Sequence, residues 1–141
     1  MNILNSITEG FSALWPRLDA APQLVDGKLR PCPGTPNCVS SESDDMIHRI
    51  QPLPFDGSAA EAMARLKKVV VERGGTLQTE APDYIWSTFT VPVFGFVDDV
   101  EFRPSPEAKV IHVRSSSRLG FSDLGVNRAR IEELRKAFIK G

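Results

Sequence analysis

Tyr84-Ile85-Trp86-Ser87-Thr88-Phe89-Thr90-Val91, Phe96-Val97-Asp98-Asp99-Val100-Glu101-Phe102-Arg103 and Lys109-Val110-Ile111-His112-Val113-Arg114-Ser115-Ser116 are three stretches in which side chains alternate in character. A period of two belongs to strands with one face buried, and the short connectors at 92–95 and 104–108 join antiparallel neighbours. Matching the apolar columns sets a register. Val91 faces Phe96, Phe89 faces Asp98, Ser87 faces Val100 and Ile85 faces Phe102. In the next hairpin Phe102 faces Ile111, Val100 faces Val113 and Asp98 faces Ser115. These columns are the expected core side. The opposite side carries Tyr84, Trp86, Thr88 and Thr90, then Val97, Asp99, Glu101 and Arg103, then His112, Arg114 and Ser116.

Outward from the meander, Ser58-Ala59-Ala60-Glu61 has the capping-box pattern, in which the hydroxyl accepts from the third residue's amide. Ala62, Met63, Leu66, Val69 and Val70 then form a helical stripe, and Gly74-Gly75 stops it. Residues 76–80 predict a further strand, residues 46–53 a short one, and residues 127–140 a last helix burying Ile131, Leu134 and Phe138. The predicted order is β-α-β-β-β-β-α, an α+β domain whose antiparallel sheet is packed by helices on one face. By analogy of fold this order is helix-grip-like, an architecture that can enclose a ligand. Residues 19–45, rich in Pro and Gly, read as an ordered connector.

Residues 3–18 place Ile3, Leu4, Ile7, Phe11, Leu14, Trp15 and Leu18 on one helical stripe. The expectation is an amphipathic helix and linker over 1–28 and a single domain over 29–141. That helix would dock on its own domain or a second copy, or lie on a membrane surface, although its polar face is poor in Lys and Arg.

The 141 residues carry 17 basic and 18 acidic side chains. This near-balance speaks against a nucleic-acid binder, which needs an excess of positive charge. The start lacks a basic region followed by a continuous apolar run, so the expected compartment is the cytoplasm, with a membrane-peripheral location as the alternative. Cys32 and Cys38 enclose a Pro/Gly loop that suits either a disulfide or two packed thiols. Their spacing does not suit a zinc site, and no metal or cofactor is expected.

Asp98 is the anomaly, a carboxylate in an apolar column. Unpaired burial would cost several kcal/mol, so it needs a cation. Arg128 and Arg130 are anomalous in turn, since cations at a helix start oppose its dipole. Either internal carboxylates such as Asp98 and Asp123 compensate them, or a bound anion does. The candidate ligand-binding set is Arg118, Arg128, Arg130, Asn127, Ser122 and Asp123. The candidate structural network is Asp98, Asp99, Glu101 and Arg114. Opposition of His112 to Glu101 and of Arg114 to Asp99 reads as surface pairing. Tyr84 and Trp86 beside these charges suggest a partner surface, or one covered by the first helix or the Cys32–Cys38 loop.

Three motifs carry a family likeness: Cys32-Pro33 with Pro36-Asn37-Cys38-Val39-Ser40-Ser41, residues 96–102, and residues 114–128. Over about residues 29–139 the chain resembles the bacterial and plastid family called domain of unknown function 1499. The resemblance implies no established activity. Relatives often have alanine at the position of Ser116, which speaks against catalysis there. The reading that follows is a non-catalytic module binding a small anionic or amphiphilic ligand, or a protein partner. The alternative is a hydrolase using Ser115, Ser116, Ser117 or Ser122 with His112 or His48 as base. No Gly-x-Ser-x-Gly elbow supports it.

Overall fold

The structure, a computed structural model, describes residues 20–90, 95–119 and 125–141. Strands β1 (Cys38–Ser40) and β2 (Leu53–Pro54) precede helix α1 (Ala59–Glu72). Strands β3 (Thr76–Ala81), β4 (Tyr84–Thr90), β5 (Val97–Ser105) and β6 (Val110–Ser117) follow, and helix α2 (Val126–Lys140) ends the chain. The six strands form one antiparallel sheet in the order β1-β6-β5-β4-β3, with β2 pairing the other half of β6. The chain is therefore α+β, as expected. The amphipathic helix expected over 3–18 lies outside the described residues.

Both helices pack on one face. Ala62, Met63, Leu66, Val69 and Val70 of α1 and Ile131, Leu134 and Phe138 of α2 meet Ile85, Phe89, Val100, Phe102, Ile111 and Val113 in one apolar cluster. The Ser58 hydroxyl accepts from the Glu61 amide at 3.1 Å, so the cap begins α1 where the sequence places it. Gly74, at φ 96°, ends the helix with a left-handed residue. Gly75 is required for another reason: a Cβ there would lie 2.6 Å from Phe89 Cζ.

The β4–β5 register is the predicted one, with Ile85 opposite Phe102, Ser87 opposite Val100 and Phe89 opposite Asp98. Val91 lies outside the described residues. The β5–β6 register differs by two: Phe102 faces Val113, Val100 faces Ser115 and Asp98 faces Ser117. Lys109 adopts φ 57°, which tightens the turn and draws Pro104 and Ser105 into β5. Pro104 is tolerated because pairing with β4 ends at Phe102. A slip of two keeps every side chain on its predicted face.

Two further corrections concern the chain before α1. Of residues 46–53 only Leu53 belongs to a strand, because the Asp45 carboxylate takes the His48 amide at 2.9 Å and turns the chain. The connector meanwhile contains β1, which the Cys32–Cys38 disulfide (Cα–Cα 5.8 Å) anchors beside β6. Among the described residues no helix is long and apolar enough to cross a membrane.

Candidate functional site

Alternation along β5 sends Asp98 to the helix side and Asp99, Glu101 and Arg103 to the opposite side. On the helix side Asp98 is buried, and Arg130 Nη1 donates to its Oδ2 at 2.6 Å. The same guanidinium lies 5.0 Å from the centroid of the Phe89 ring, a cation–π placement. Asn127, fully buried, joins α2 to β6 and to the residue before β1. It accepts from Ser115 Oγ at 2.6 Å and donates to Ser117 Oγ at 2.8 Å and to the Asn37 carbonyl at 3.2 Å. The inward carboxylate and its arginine from the last helix are thus present, as the sequence requires.

The opposite side is an ionic layer beneath a strap of chain, residues 28–42. Glu101 has 0% exposure. Its carboxylate accepts from Arg30 (2.7 and 3.2 Å), Arg114 Nη1 (3.1 Å) and the Tyr84 hydroxyl (2.6 Å). Arg118 grips Asp99 through two bonds of 2.9 and 3.0 Å, and Trp86 Nε1 donates to the same carboxylate at 2.9 Å. Arg103 grips Glu42, which also takes the Leu29 amide at 2.8 Å. Arg114 Nη2 donates to the Pro31 carbonyl at 3.2 Å, while its Nε is buried without a hydrogen-bond partner.

These surroundings displace several titrations. Burial opposes ionisation of Glu42, but the bonds from Arg103 and Leu29 outweigh it and hold the carboxyl below its usual range. Burial, reinforced by the Glu101 charge, pushes the Tyr84 phenol up. Burial lowers His112, with Arg103 and Lys28 acting in the same direction.

The surface pairs expected from the sequence are therefore corrected. Glu101 faces Arg114 and Arg103 faces His112, and the strap rather than solvent covers Glu101 and Arg114. The predicted network of Asp98, Asp99, Glu101 and Arg114 is divided by the sheet, with Asp98 alone on the helix side. The predicted ligand set is divided too. Arg118 belongs to the ionic layer, and Arg130 and Asn127 to the helix side. Arg128 reaches past both to the carbonyls of Arg49 (2.9 Å) and Ile47 (3.1 Å). Ser122 and Asp123 lie outside the described residues, and the N-cap of α2 is Gly125. Sequence reasoning missed Arg30 and Glu42, which lie in the connector and show no periodicity. The only signal for them was the cluster of aromatic and charged residues on the non-core side of the meander.

Among the described residues, the serines proposed for hydrolysis, Ser115, Ser116 and Ser117, have no hydrogen bond to a histidine. Ser115 and Ser117 bond Asn127. His48 lies between the Asp45 carboxylate and the Thr35 carbonyl, both at 2.8 Å. His112 Nδ1 instead meets Ser41 Oγ at 2.9 Å, an unanticipated pairing. That hydroxyl accepts the Val113 amide at 2.9 Å, where a ladder carbonyl would otherwise stand at the end of β1. Its geometry is that of a strand terminus. Among the described residues no group of three or more His, Cys, Asp or Glu could hold a metal ion.

Together these features define a class: an α+β protein in which one antiparallel sheet separates an apolar core from an ionic layer. Residues 28–138 match the family described as Protein of unknown function (DUF1499), and the chain belongs to that family. The match runs from the strap to the last turn of α2. A search of curated proteins finds no match.

Proposed function

We propose that this chain is a non-catalytic binding module for a small amphiphilic anion, taken at the end of the sheet where α2 begins. One observation carries the reading. Exposed apolar side chains bracket the first turn of α2: Met46 (93% exposed), Ile47 (66%), Leu119 and Val126. Arg128 in that turn, whose hydrogen-bond partners among the described residues are the Arg49 and Ile47 carbonyls, supplies positive charge beside them. Solvent-facing apolar residues grouped around a cation suit an amphiphile with an anionic head.

The Cys32–Cys38 bridge favours an oxidising compartment over the cytoplasm expected from the sequence. Native mass spectrometry of the chain purified from its own host tests the reading. The expected result is a non-covalent adduct of lipid-like mass that is lost in Ile47→Asp and in Arg128→Glu. A bare protein mass, with no amphiphile retained after incubation with fatty acids or lysophospholipids, overturns it. A co-purifying protein would replace the small ligand with a protein partner, and covalent labelling by a fluorophosphonate would restore the hydrolase alternative.

A further inference from the structure

We infer that the strap side of the sheet holds a second binding site, for a small oxyanion, bounded by Arg30, Arg114 and Ser116. It is separate from the surface proposed above and stands or falls without it. The first argument is charge. Among the described residues, the ion pairs of this layer join four guanidiniums, Arg30, Arg103, Arg114 and Arg118, to three carboxylates, Glu42, Asp99 and Glu101. Arg118 and Arg103 each have a carboxylate to themselves, whereas Arg30 and Arg114 share Glu101. Lys28 bears on His112 nearby and adds to the excess. Arginine does not discharge by losing its proton, so among the described residues the ion pairs of this layer leave one positive charge in excess.

The second argument is hydrogen bonding. Glu101 accepts from both guanidiniums and from Tyr84, which leaves little of its capacity for Arg114. Arg114 is 5% exposed and its Nε has no acceptor. A buried guanidinium with an unmet donor is costly unless an acceptor arrives. Ser116, on the same side of β6 and paired with Asp99, directs its hydroxyl, among the described residues, to the Ser117 carbonyl alone, at 3.5 Å. The third argument is access: the Arg30 side chain is 28% exposed, so the cluster opens to solvent at that residue. Guanidinium donors with an adjacent hydroxyl select a carboxylate or phosphate oxygen, which is the chemistry a planar fork binds best.

The test uses the full chain with its disulfide intact, titrated with inorganic phosphate and with acetate against sodium chloride at matched ionic strength. The arginine Nε–Hε resonances are followed by ¹⁵N-resolved NMR. The expected result is a saturable shift of the Arg30 and Arg114 resonances with either oxyanion. Arg30→Gln, which keeps the Arg114–Glu101 pair and so the fold, should weaken the affinity at least tenfold. Lys68→Gln, the same charge change on the exposed side of α1, should leave it unaltered. A response that follows ionic strength without saturating, or an Arg30→Gln protein that binds as tightly as the parent, overturns the proposal.

Discussion

On its inner face β5 offers Val100 and Phe102 to aliphatic and aromatic side chains, whereas on its outer face the same strand offers Glu101 and Arg103 to a strap held by ion pairs. Phe102 and Glu101 are neighbours in sequence and both have 0% exposure. What differs is the source of stability. Burying Phe102 releases water from apolar surface and contributes on the order of 1.5–3 kcal/mol. Burying Glu101 requires desolvating a carboxylate and two guanidiniums, so that three good hydrogen-bonding partners roughly restore what dehydration costs. The inner face therefore stabilises the fold. The outer face fixes where the strap lies, because Arg30 and Glu42 of the strap must meet Glu101 and Arg103 of β5.

The largest expected effect tests that distinction directly. Phe102→Ala should cost about 3–5 kcal/mol in urea denaturation, the range for emptying a large core site. Glu101→Ala should cost a similar amount, about 3–5 kcal/mol, because it takes from Arg30 and the buried Arg114 the carboxylate they share. The two part company on repair. Glu101→Leu combined with Arg114→Met should recover much of the second loss, since apolar replacements of a buried ion pair are tolerated. If the double variant is less stable than Glu101→Ala, the outer layer contributes to stability in the way the core does, and the contrast fails.

A smaller effect should come from the disulfide, which ties the strap to β1. Replacing Cys32 and Cys38 with Ser removes a loop constraint worth about 2–3 kcal/mol. Amide hydrogen exchange should rise along β1 and the strap while α1 and the inner columns of β4 and β5 stay protected. Equal loss of protection on both faces would mean that they unfold as one unit.

The smallest effect is the pH dependence of the two histidines, which have opposite signs. His48 bonds Asp45 and the Thr35 carbonyl through its two ring nitrogens; these bonds raise its pKa above 6.5 and favour the imidazolium. Its contribution is complete below the unfolded value and is lost as pH rises through the folded one. His112 is lowered by burial in the outer layer, so its contribution is present above 6.5 and is lost as pH falls through the folded value. Denaturation midpoints between pH 5 and 8 should therefore show the parent's advantage over His48→Gln shrinking as pH rises. The advantage over His112→Gln should shrink as pH falls. Parallel curves for parent and variants would show that neither imidazole is held as described.

The residues differ in how far they could be read before folding. Ile85, Ser87 and Phe89 declare their partners on β5 because alternation and a short connector leave one sensible register. Asp98 declares its need for a cation by standing among apolar residues, and Arg130 meets it. The β5–β6 register was displaced by two because Pro104 reads as a terminator, whereas its place beyond the end of β4 lets the strand continue. Arg30 and Glu42 carry no periodic signal, and no local rule tells a charged residue that it will be covered.

By itself the sequence determined the α+β class, the inner face of the sheet, the cap and stop of α1 and the inward carboxylate. All of these follow from short-range periodicity and from the cost of burying an unpaired charge. Only the tertiary structure decided that the outer face is closed as well, that Glu101 serves two arginines, and that Arg118 and Arg130 stand on opposite sides of the sheet. Those outcomes depend on where a non-repeating strap comes to rest, and ion pairs spanning 61 and 71 positions of chain leave no pattern along it.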